Sequence, residues 1–289
     1  MRYQKWFFGA VLVLGVLAAT LFSALASTFT TIDIPGATVI QAFGINNRGQ
    51  IVGRYIPVGG RFLRSYVLDH GTFTTIDVPG VTFTDTTVAI GINDRGQIVG
   101  SYTTGGEFFG HSHGYVLDHG TFTTIDVPVP GATGTVAVGI NNRGQIVGSY
   151  STTSGFHSFL LDHGTFTTID VPGAGYASGI NDRGQIVGVY HIYSSFLLDH
   201  GTFTTIDVPG ASFTEASGIN NRGQIVGDYF VGTPINGTRR GFVLDHGTFT
   251  TIDAPGASSA GTVLSGINDR GDIVGNVGLG SAGHGFILN

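Results

Sequence analysis

Short clusters of apolar residues, separated by turn-forming residues, recur along most of the chain. In one representative stretch, the alternation of apolar and polar positions predicts four β-strands over residues 88–93, 97–102, 115–118 and 122–127. Ile98 and Val99 in the second of these are β-branched core candidates. Proline follows the fourth strand and ends it, because its nitrogen cannot donate to a strand ladder.

Two different turns connect these strands. Asn-Asp-Arg-Gly at residues 93–96 is typical of a type I turn followed by a left-handed glycine. Asp-His-Gly-Thr at residues 118–121 predicts a tight turn in which the glycine takes a positive φ angle. The segment between the second and third strands has no such signature and is predicted to be a loop.

The same unit occurs six times. Phe-Thr-Thr-Ile-Asp begins at Phe29, Phe73, Phe122, Phe166, Phe203 and Phe249. Gly-Ile-Asn begins at Gly44, Gly91, Gly139, Gly179, Gly218 and Gly266. The phenylalanines are 37 to 49 residues apart, which is the range of propeller blades and solenoid repeats. Four short antiparallel strands per repeat favour a propeller blade. A solenoid would need atypical polar caps, which the sequence lacks.

The ends of the repeat array are out of phase with each other. The array opens on a fourth strand at residues 29–33 and ends on a third strand at residues 286–288. Together the two incomplete ends make one unit, and their pairing would remove two open sheet edges. We therefore expect an all-β fold: a six-bladed β-propeller with four-stranded antiparallel blades, the last closed by the N-terminal strand in a one-plus-three arrangement.

The repeat resembles a known bacterial group. Gly-Ile-Asn-x-x-Gly-x-Ile-Val-Gly is followed in three units by His-Gly-Tyr at 113–115, His-Ser-Phe at 157–159 or His-Gly-Phe at 284–286. This combination resembles the bacterial extracellular HAF-type repeat over residues 28–289. The resemblance implies export and a β-propeller-like fold, and it carries over no catalytic residues. The other three units have Arg or Ser in place of the histidine, so a role that needs this histidine in every blade is not implied.

The first 26 residues differ from the repeats. Arg2 and Lys5 precede a nearly continuous apolar run that ends in Ala-Leu-Ala at 24–26. This arrangement is typical of a signal peptide, and an uncleaved membrane anchor is the alternative. We therefore expect a signal peptide over residues 1–26, a propeller over 27–289, and an extracellular or periplasmic protein. Membrane attachment is expected only if the segment is retained.

Charge and cysteine content exclude some partners and some means of stabilisation. The chain has 13 Lys and Arg against 19 Asp and Glu, a formal net charge of −6. This balance disfavours nucleic acids and anionic membranes, which both attract dense basic patches. The chain has no cysteine, so its packed core must hold it together without disulfides. We expect a monomer.

Charged residues that recur in every unit are more typical of structure than of catalysis. The Arg of the first turn and the Asp of the second turn should lie on one face, where Arg–carboxylate pairs are plausible. The histidines of the second turns should be too far apart around a ring to share one metal ion. The Asn-Asp-Arg-Gly turn lacks the ligand spacing of a calcium loop. No metal, cofactor or catalytic residue is predicted.

Variable segments are better candidates for binding. The loops between second and third strands, and the crossovers between units, should share the face opposite the hairpin turns. Loops on a rigid scaffold are common binding sites. The candidate ligand-binding residues are Arg61, Arg64, Glu107, His111, His113, Tyr193, Arg239 and Arg240.

The sequence is compatible with three functions. The first is a secreted binding or scaffold module that uses the variable-loop face, with a glycan or cell-surface component as a possible ligand. The second is a secreted hydrolase or lyase that acts on a polysaccharide or small ester in the central funnel. The third is a purely structural or adhesive surface repeat protein.

Overall fold

The fold is all-β and propeller-like. The computed structural model describes residues 28–60, 62–81, 86–105, 111–173, 175–190, 194–232, 237–257, 261–278 and 283–289. Every regular element within these ranges is a β-strand, and there are 24 of them. The predicted signal peptide lies outside the described residues.

Five groups of four consecutive strands follow the first strand, and a group of three ends the chain. Strand β1 spans Phe29–Ile32. Unit 1 contains β2 (Ala37–Ile45), β3 (Ile51–Pro57), β4 (Arg64–Asp69) and β5 (Thr72–Ile76). Unit 2 contains β6 (Thr87–Ile92), β7 (Ile98–Thr104), β8 (His111–Asp118) and β9 (Thr121–Ile125). Unit 3 contains β10 (Gly134–Ile140), β11 (Ile146–Thr152), β12 (Gly155–Asp162) and β13 (Thr165–Ile169).

The second half of the chain repeats this order. Unit 4 contains β14 (Tyr176–Ile180), β15 (Ile186–Tyr190), β16 (Ser194–Asp199) and β17 (Thr202–Ile206). Unit 5 contains β18 (Phe213–Ile219), β19 (Ile225–Val231), β20 (Thr238–Asp245) and β21 (Thr248–Ile252). Unit 6 contains β22 (Thr262–Ile267), β23 (Ile273–Val277) and β24 (His284–Leu288).

Each unit is an antiparallel meander in chain order. Four sheets have four strands, and the fifth has eight because units 2 and 3 are joined by one parallel bridge between Ser112 and Gly134. In unit 6 the fourth position is taken by β1, which pairs antiparallel with β24 from Phe29–Leu288 to Ile32–Gly285. Thr28 and Asn289 extend this ladder by exchanging two backbone hydrogen bonds of 3.1 and 3.2 Å. The pairing expected between the two ends of the array is therefore present.

Both predicted turns occur, and one has an added feature. In the first turn, Gly96 donates its backbone N–H to Asn93 O at 3.0 Å and has a φ of 81°. In the second turn, both central residues are left-handed: His119 has a φ of 47° and Gly120 a φ of 81°. This geometry is that of a type I′ hairpin, whose twist matches that of the flanking strands. Histidine is one of the few non-glycine residues enriched in this region.

The core consists of layers between neighbouring units. In each unit, the valine of the Ile-Val-Gly motif is fully buried and packs into the hydrophobic cluster of the following unit. These valines are Val52, Val99, Val147, Val187, Val226 and Val274, and Val274 of unit 6 packs against unit 1. Burial of these side chains couples each unit to the next and closes the series on itself.

The first strands of the units lie closest to one another. Strands β2, β6, β10, β14, β18 and β22 make contacts in a closed cycle. Each has a register shift of the β-bulge type just before the Gly-Ile-Asn motif. A Cβ atom on Gly91 would lie 2.7 Å from Val138 O and 3.4 Å from Gly139 Cα. The glycine is therefore needed because adjacent backbones approach too closely for a side chain.

Candidate functional site

The hairpin-turn face is held by a closed ring of asparagines. The first Asn of each Gly-Ile-Asn turn is nearly fully buried, and its Nδ2 donates to the backbone carbonyl of the equivalent Asn in the next unit. The six bonds measure 2.9 to 3.1 Å and run from Asn46 to Asn93, Asn141, Asn181, Asn220, Asn268 and back to Asn46. The Oδ1 atom of the same side chain accepts two N–H groups of its own turn, for example those of Arg48 and Gln50.

A second ring lies beside the first and alternates between amide and acid. Its members are Asn47, Asp94, Asn142, Asp182, Asn221 and Asp269. Each Asn donates from Nδ2 to the Oδ2 atoms of both neighbouring aspartates, at 2.8 to 3.0 Å. Each Oδ1 atom accepts the backbone N–H of the preceding unit at 2.7 to 2.8 Å. Alternation lets every carboxylate face two donors, whereas six adjacent carboxylates would repel each other.

These two rings and the isoleucines of the Gly-Ile-Asn motifs line an open axial cavity of about 70 Å³. Ligand pockets usually measure roughly 300–1,000 Å³. The cavity is therefore too small for a saccharide, and its polar groups are already used in the rings.

The turn arginines do not pair with the turn aspartates as we expected. Asp69 instead accepts a hydrogen bond from Gln50 Nε2 at 3.0 Å and lies 2.6 Å from His70 Nδ1. These two hydrogen bonds, the one from Gln50 first, lower the pKa of the Asp69 carboxyl. The equivalent aspartates in units 2 to 5 have the same two partners. The glutamine just before the start of the adjacent strand occupies the hydrogen-bonding position at the carboxylate. The turn arginine of the same unit therefore interacts with that carboxylate only at longer range.

Three of the predicted ligand-binding residues make the same contact with an aspartate. Arg64 Nη1 lies 2.9 Å from Asp77 Oδ1, and His113 Nδ1 lies 3.0 Å from Asp126 Oδ1. Arg240 pairs in the same way with Asp253. In all three, a residue on the third strand contacts the Asp that follows the fourth strand. The shared geometry indicates a structural contact across the outer two strands.

His111 lines an open cavity between units 2 and 3. Its Nδ1 lies 3.1 Å from the carbonyl oxygen of Thr133, which is in the crossover to unit 3. The cavity measures about 370 Å³ and is lined by two aromatic rings, several hydroxyl groups and His111. Its lining residues are His111, Ser112, Thr133, Gly134, Val136, Ser149, Tyr150, Ser151 and Phe156.

Phe156 separates this cavity from a second one. The second cavity, at the edge of unit 3 and the crossover to unit 4, measures about 380 Å³ and includes His157, Ser154 and Asp170. Phe156 lines both cavities, and 73% of its surface is exposed. The Phe156 ring is therefore accessible to a ligand from both cavities.

Arg239 is the predicted residue with the most extensive polar contacts. Its Nε and Nη2 contact both oxygens of Asp228, and Nη2 also lies 3.0 Å from Glu215 Oε2. Tyr176 of unit 4 donates its hydroxyl to Glu215 Oε1 at 3.3 Å. Asp228 is fully buried, and this burial raises its pKa to about 7 against the opposing effect of Arg239. Burial, followed by the charge of Glu215, also raises the pKa of Tyr176.

The structure brings two of the predicted residues together: Arg239 and Arg240 line one cavity of about 370 Å³, with Thr238 and Asp253. Arg64 and His113 each contact the Asp that follows the fourth strand, and His111 lines the cavity between units 2 and 3. Arg61, Glu107 and Tyr193 lie outside the described residues. Sequence reasoning missed Phe156, Tyr176 and Asp228. Alignment of the six units would have marked the last two, because both replace residues of different chemistry at equivalent positions.

Two further properties concern the described part of the chain. No group of three His, Asp or Glu side chains there is placed to hold a metal ion. The described residues include no helix that is long and apolar enough to cross a membrane.

Comparisons with known proteins identify no relative by sequence. No family model matches the chain, so the resemblance to the HAF-type repeat has no independent support. No curated protein matches either.

Solved structures give weak similarities. The β-propeller domain of the Trilobed protease from Pyrococcus furiosus is similar with a TM-score of 0.49 and 10% identity, over 88% of this chain and 94% of that one. A PQQ-bound aldose sugar dehydrogenase from Streptomyces coelicolor is similar with a TM-score of 0.48 and 10% identity, over 91% of this chain and 98% of that one. The Aleuria aurantia lectin, in complex with α-methyl-L-fucoside, is similar with a TM-score of 0.44 and 15% identity, over 78% of this chain and 76% of that one. At this level they assign neither a ligand nor a reaction to the chain.

Proposed function

We propose that this chain is a secreted binding module: a six-bladed ring over residues 27–289, formed after removal of residues 1–26. Three observations support the ring. The first strands of the units contact each other in a closed cycle, the asparagine ring returns to Asn46 after six bonds, and β1 completes the sheet of unit 6. Removal of the leader is supported only by its sequence.

The ligand site that we propose is centred on Phe156, and the ligand is a neutral glycan. The exposed ring of Phe156 between two cavities carries this proposal. A flat apolar ring suits the apolar face of a sugar, and the surrounding Ser and Thr hydroxyls suit its hydroxyl groups. Each cavity, at about 370 or 380 Å³, is in the size range of a small-ligand pocket.

Binding is better supported than hydrolysis in the central funnel. The axial cavity of about 70 Å³ does not admit a saccharide. Within the described residues, one cluster combines two carboxylates, an arginine and a tyrosine. Asp228 of this cluster has no contact with solvent. A catalytic acid or base must come within hydrogen-bond reach of the substrate, and Glu215 is the one carboxylate of this cluster that is partly exposed, so the cluster does not offer an accessible pair. A purely adhesive role remains the alternative if no soluble ligand binds.

A glycan array followed by calorimetric titration of each hit tests the proposal. We expect a neutral glycan to bind and Phe156→Ala to weaken that binding at least about fivefold, taking as a guide the roughly 1–3 kcal/mol that a nucleic-acid base gains by stacking on an aromatic side chain. Val58→Ala is the matched control, because Val58 is 67% exposed on a loop of unit 1. Equal affinity of the Phe156→Ala and Val58→Ala proteins would contradict this site. The absence of any glycan hit would favour the adhesive role.

A further inference from the structure

One position of the repeat differs in chemistry from unit to unit. It is a pair of residues that face each other on the first and second strands, just before the bulge. The six pairs are Gln41 with Arg54, Val88 with Ser101, Val136 with Ser149, Tyr176 with Val189, Glu215 with Asp228, and Val263 with Asn276. Unit 1 is the unit that places a cation there.

Arg54 lies on the inner part of unit 1 and has few polar contacts. Its Nε donates to Gln41 Oε1 at 2.6 Å, and its Cζ lies 5.3 Å from the centre of the Phe43 ring. Burial lowers the pKa of the Arg54 guanidinium. Among the described residues, no Asp or Glu oxygen lies within 4.0 Å of it, and its two Nη nitrogens have no hydrogen-bond partner.

This environment contrasts with that of Arg239, which is also partly buried. Arg239 of unit 5 contacts two carboxylates, Asp228 and Glu215, so its charge is compensated within the protein. Arg54 is instead held by a neutral amide and an aromatic face. Arg54 is partly exposed, so its Nη groups are accessible to solvent and to a dissolved anion, and the described residues supply no counter-charge to it.

The geometry of Arg54 suits an oxyanion. Gln41 accepts a hydrogen bond from the Nε of the Arg54 guanidinium, and the Phe43 ring lies against its flat face. The N–H groups of the two Nη nitrogens can therefore donate to a ligand. A guanidinium fork recognises carboxylate, sulfate or phosphate through two parallel hydrogen bonds. The first strand of unit 2, β6, contacts both β2 and β3 of unit 1, so a group bound at Arg54 would lie beside unit 2.

We propose that Arg54, positioned by Gln41 and Phe43, binds the oxyanion of a ligand beside the inner strands of units 1 and 2. The oxyanion belongs either to an acidic saccharide or to a free anion. This site is separate from the Phe156 cavities of unit 3, and it does not depend on them.

Calorimetric titration of the full protein at constant ionic strength tests the proposal, with sodium sulfate, glucuronate and glucose as probes. We expect sulfate or glucuronate to bind and Arg54→Gln to weaken that binding at least about tenfold, since charge-assisted pairs contribute roughly 1.5–3 kcal/mol. Arg48→Gln is the control, because Arg48 is exposed and also has no carboxylate within 4.0 Å among the described residues. Tighter binding of glucuronate than of sulfate would indicate that the ligand is an acidic saccharide. Equal binding of the two would indicate that the ligand is a free anion.

Two outcomes would overturn the proposal: failure of both anions to bind the wild-type protein, or equal affinities for the wild-type and Arg54→Gln proteins. Thermal unfolding of Arg54→Met separates binding from folding. We expect an unchanged or higher Tm, because an uncompensated charge is removed. A lower Tm together with unchanged anion binding would assign Arg54 a structural role instead. Phe156→Ala should leave anion binding unaltered, which keeps this test independent of the glycan site.

Discussion

The asparagine ring should be a major source of stability, and Asn220→Ala tests this. The Asn220 side chain makes four hydrogen bonds: it accepts from the backbone N–H of Arg222 and Gln224 at 3.1 and 3.0 Å, and donates to Gln224 Oε1 and Asn268 O at 2.8 and 2.9 Å. Alanine removes all four and leaves the Asn268 carbonyl oxygen buried without this donor.

The expected loss follows from these four bonds. A protein hydrogen bond contributes roughly 1 kcal/mol net, and a buried group left without its partner costs about 1–3 kcal/mol. Water can reach part of the turn, so we expect Asn220→Ala to lower the free energy of unfolding by about 3–4 kcal/mol. Asn268→Ala should have a similar effect, because its Nδ2 makes the bond that closes the ring at Asn46.

Urea unfolding followed by circular dichroism measures this loss. Thr204→Ala is the control, because Thr204 is an exposed residue of β17, and such changes usually alter stability by less than about 0.5 kcal/mol. Asn220→Asp keeps the Oδ1 acceptor and removes the Nδ2 donor, so it separates the two bonds that Oδ1 accepts from the two that Nδ2 donates to Gln224 Oε1 and Asn268 O. A loss below about 1 kcal/mol for Asn220→Ala would refute the assigned role of the ring.

Three further predictions concern the scaffold. Gly91→Ala should destabilise by roughly 1–3 kcal/mol in urea unfolding, because its Cβ would lie 2.7 Å from Val138 O; a neutral change would contradict the close packing of inner strands. His119→Val should lower the free energy of unfolding by about 1–3 kcal/mol and His119→Asn by much less, because the backbone of His119 is in the left-handed region. Equal Tm values for the two variants would argue against a type I′ turn. The five turn aspartates have pKa values that are lower in the folded protein than in the unfolded chain. Their contribution to the free energy of unfolding is therefore present above about pH 4 and is lost as pH falls through the pKa values of the folded protein. Acid titration of Tm that showed no loss below that pH would contradict the Gln–Asp contacts.

Much of the unit could be predicted because its signals are local. Residues 122–127 were predicted as a strand and β9 spans Thr121–Ile125, and the Asn-Asp-Arg-Gly turn has the expected left-handed glycine. The third strand starts earlier than predicted, at His111, because it pairs with the extended end of β7. That pairing depends on the partner strand, so residues 111–114 alone do not reveal it.

The polar rings show what a sequence does not reveal without the fold. The alternation of Asn and Asp at positions 47, 94, 142, 182, 221 and 269 is visible in the sequence. Its meaning depends on these residues becoming neighbours around an axis, and Asn47 and Asp269 are far apart in the chain. The partners of Arg239 likewise come from two other strands, and the two cavities that Phe156 lines are formed by segments that lie apart in the sequence.

The central claim is that one face holds the ring together and the other binds ligand, and mapping a bound glycan tests it most directly. A structure of the protein with the tightest glycan from the array would show where the ligand lies. We predict contact with Phe156 and with His111 or His157 on the variable-loop face. A ligand bound at the hairpin-turn face, against the Asn–Asp rings, would contradict the claim.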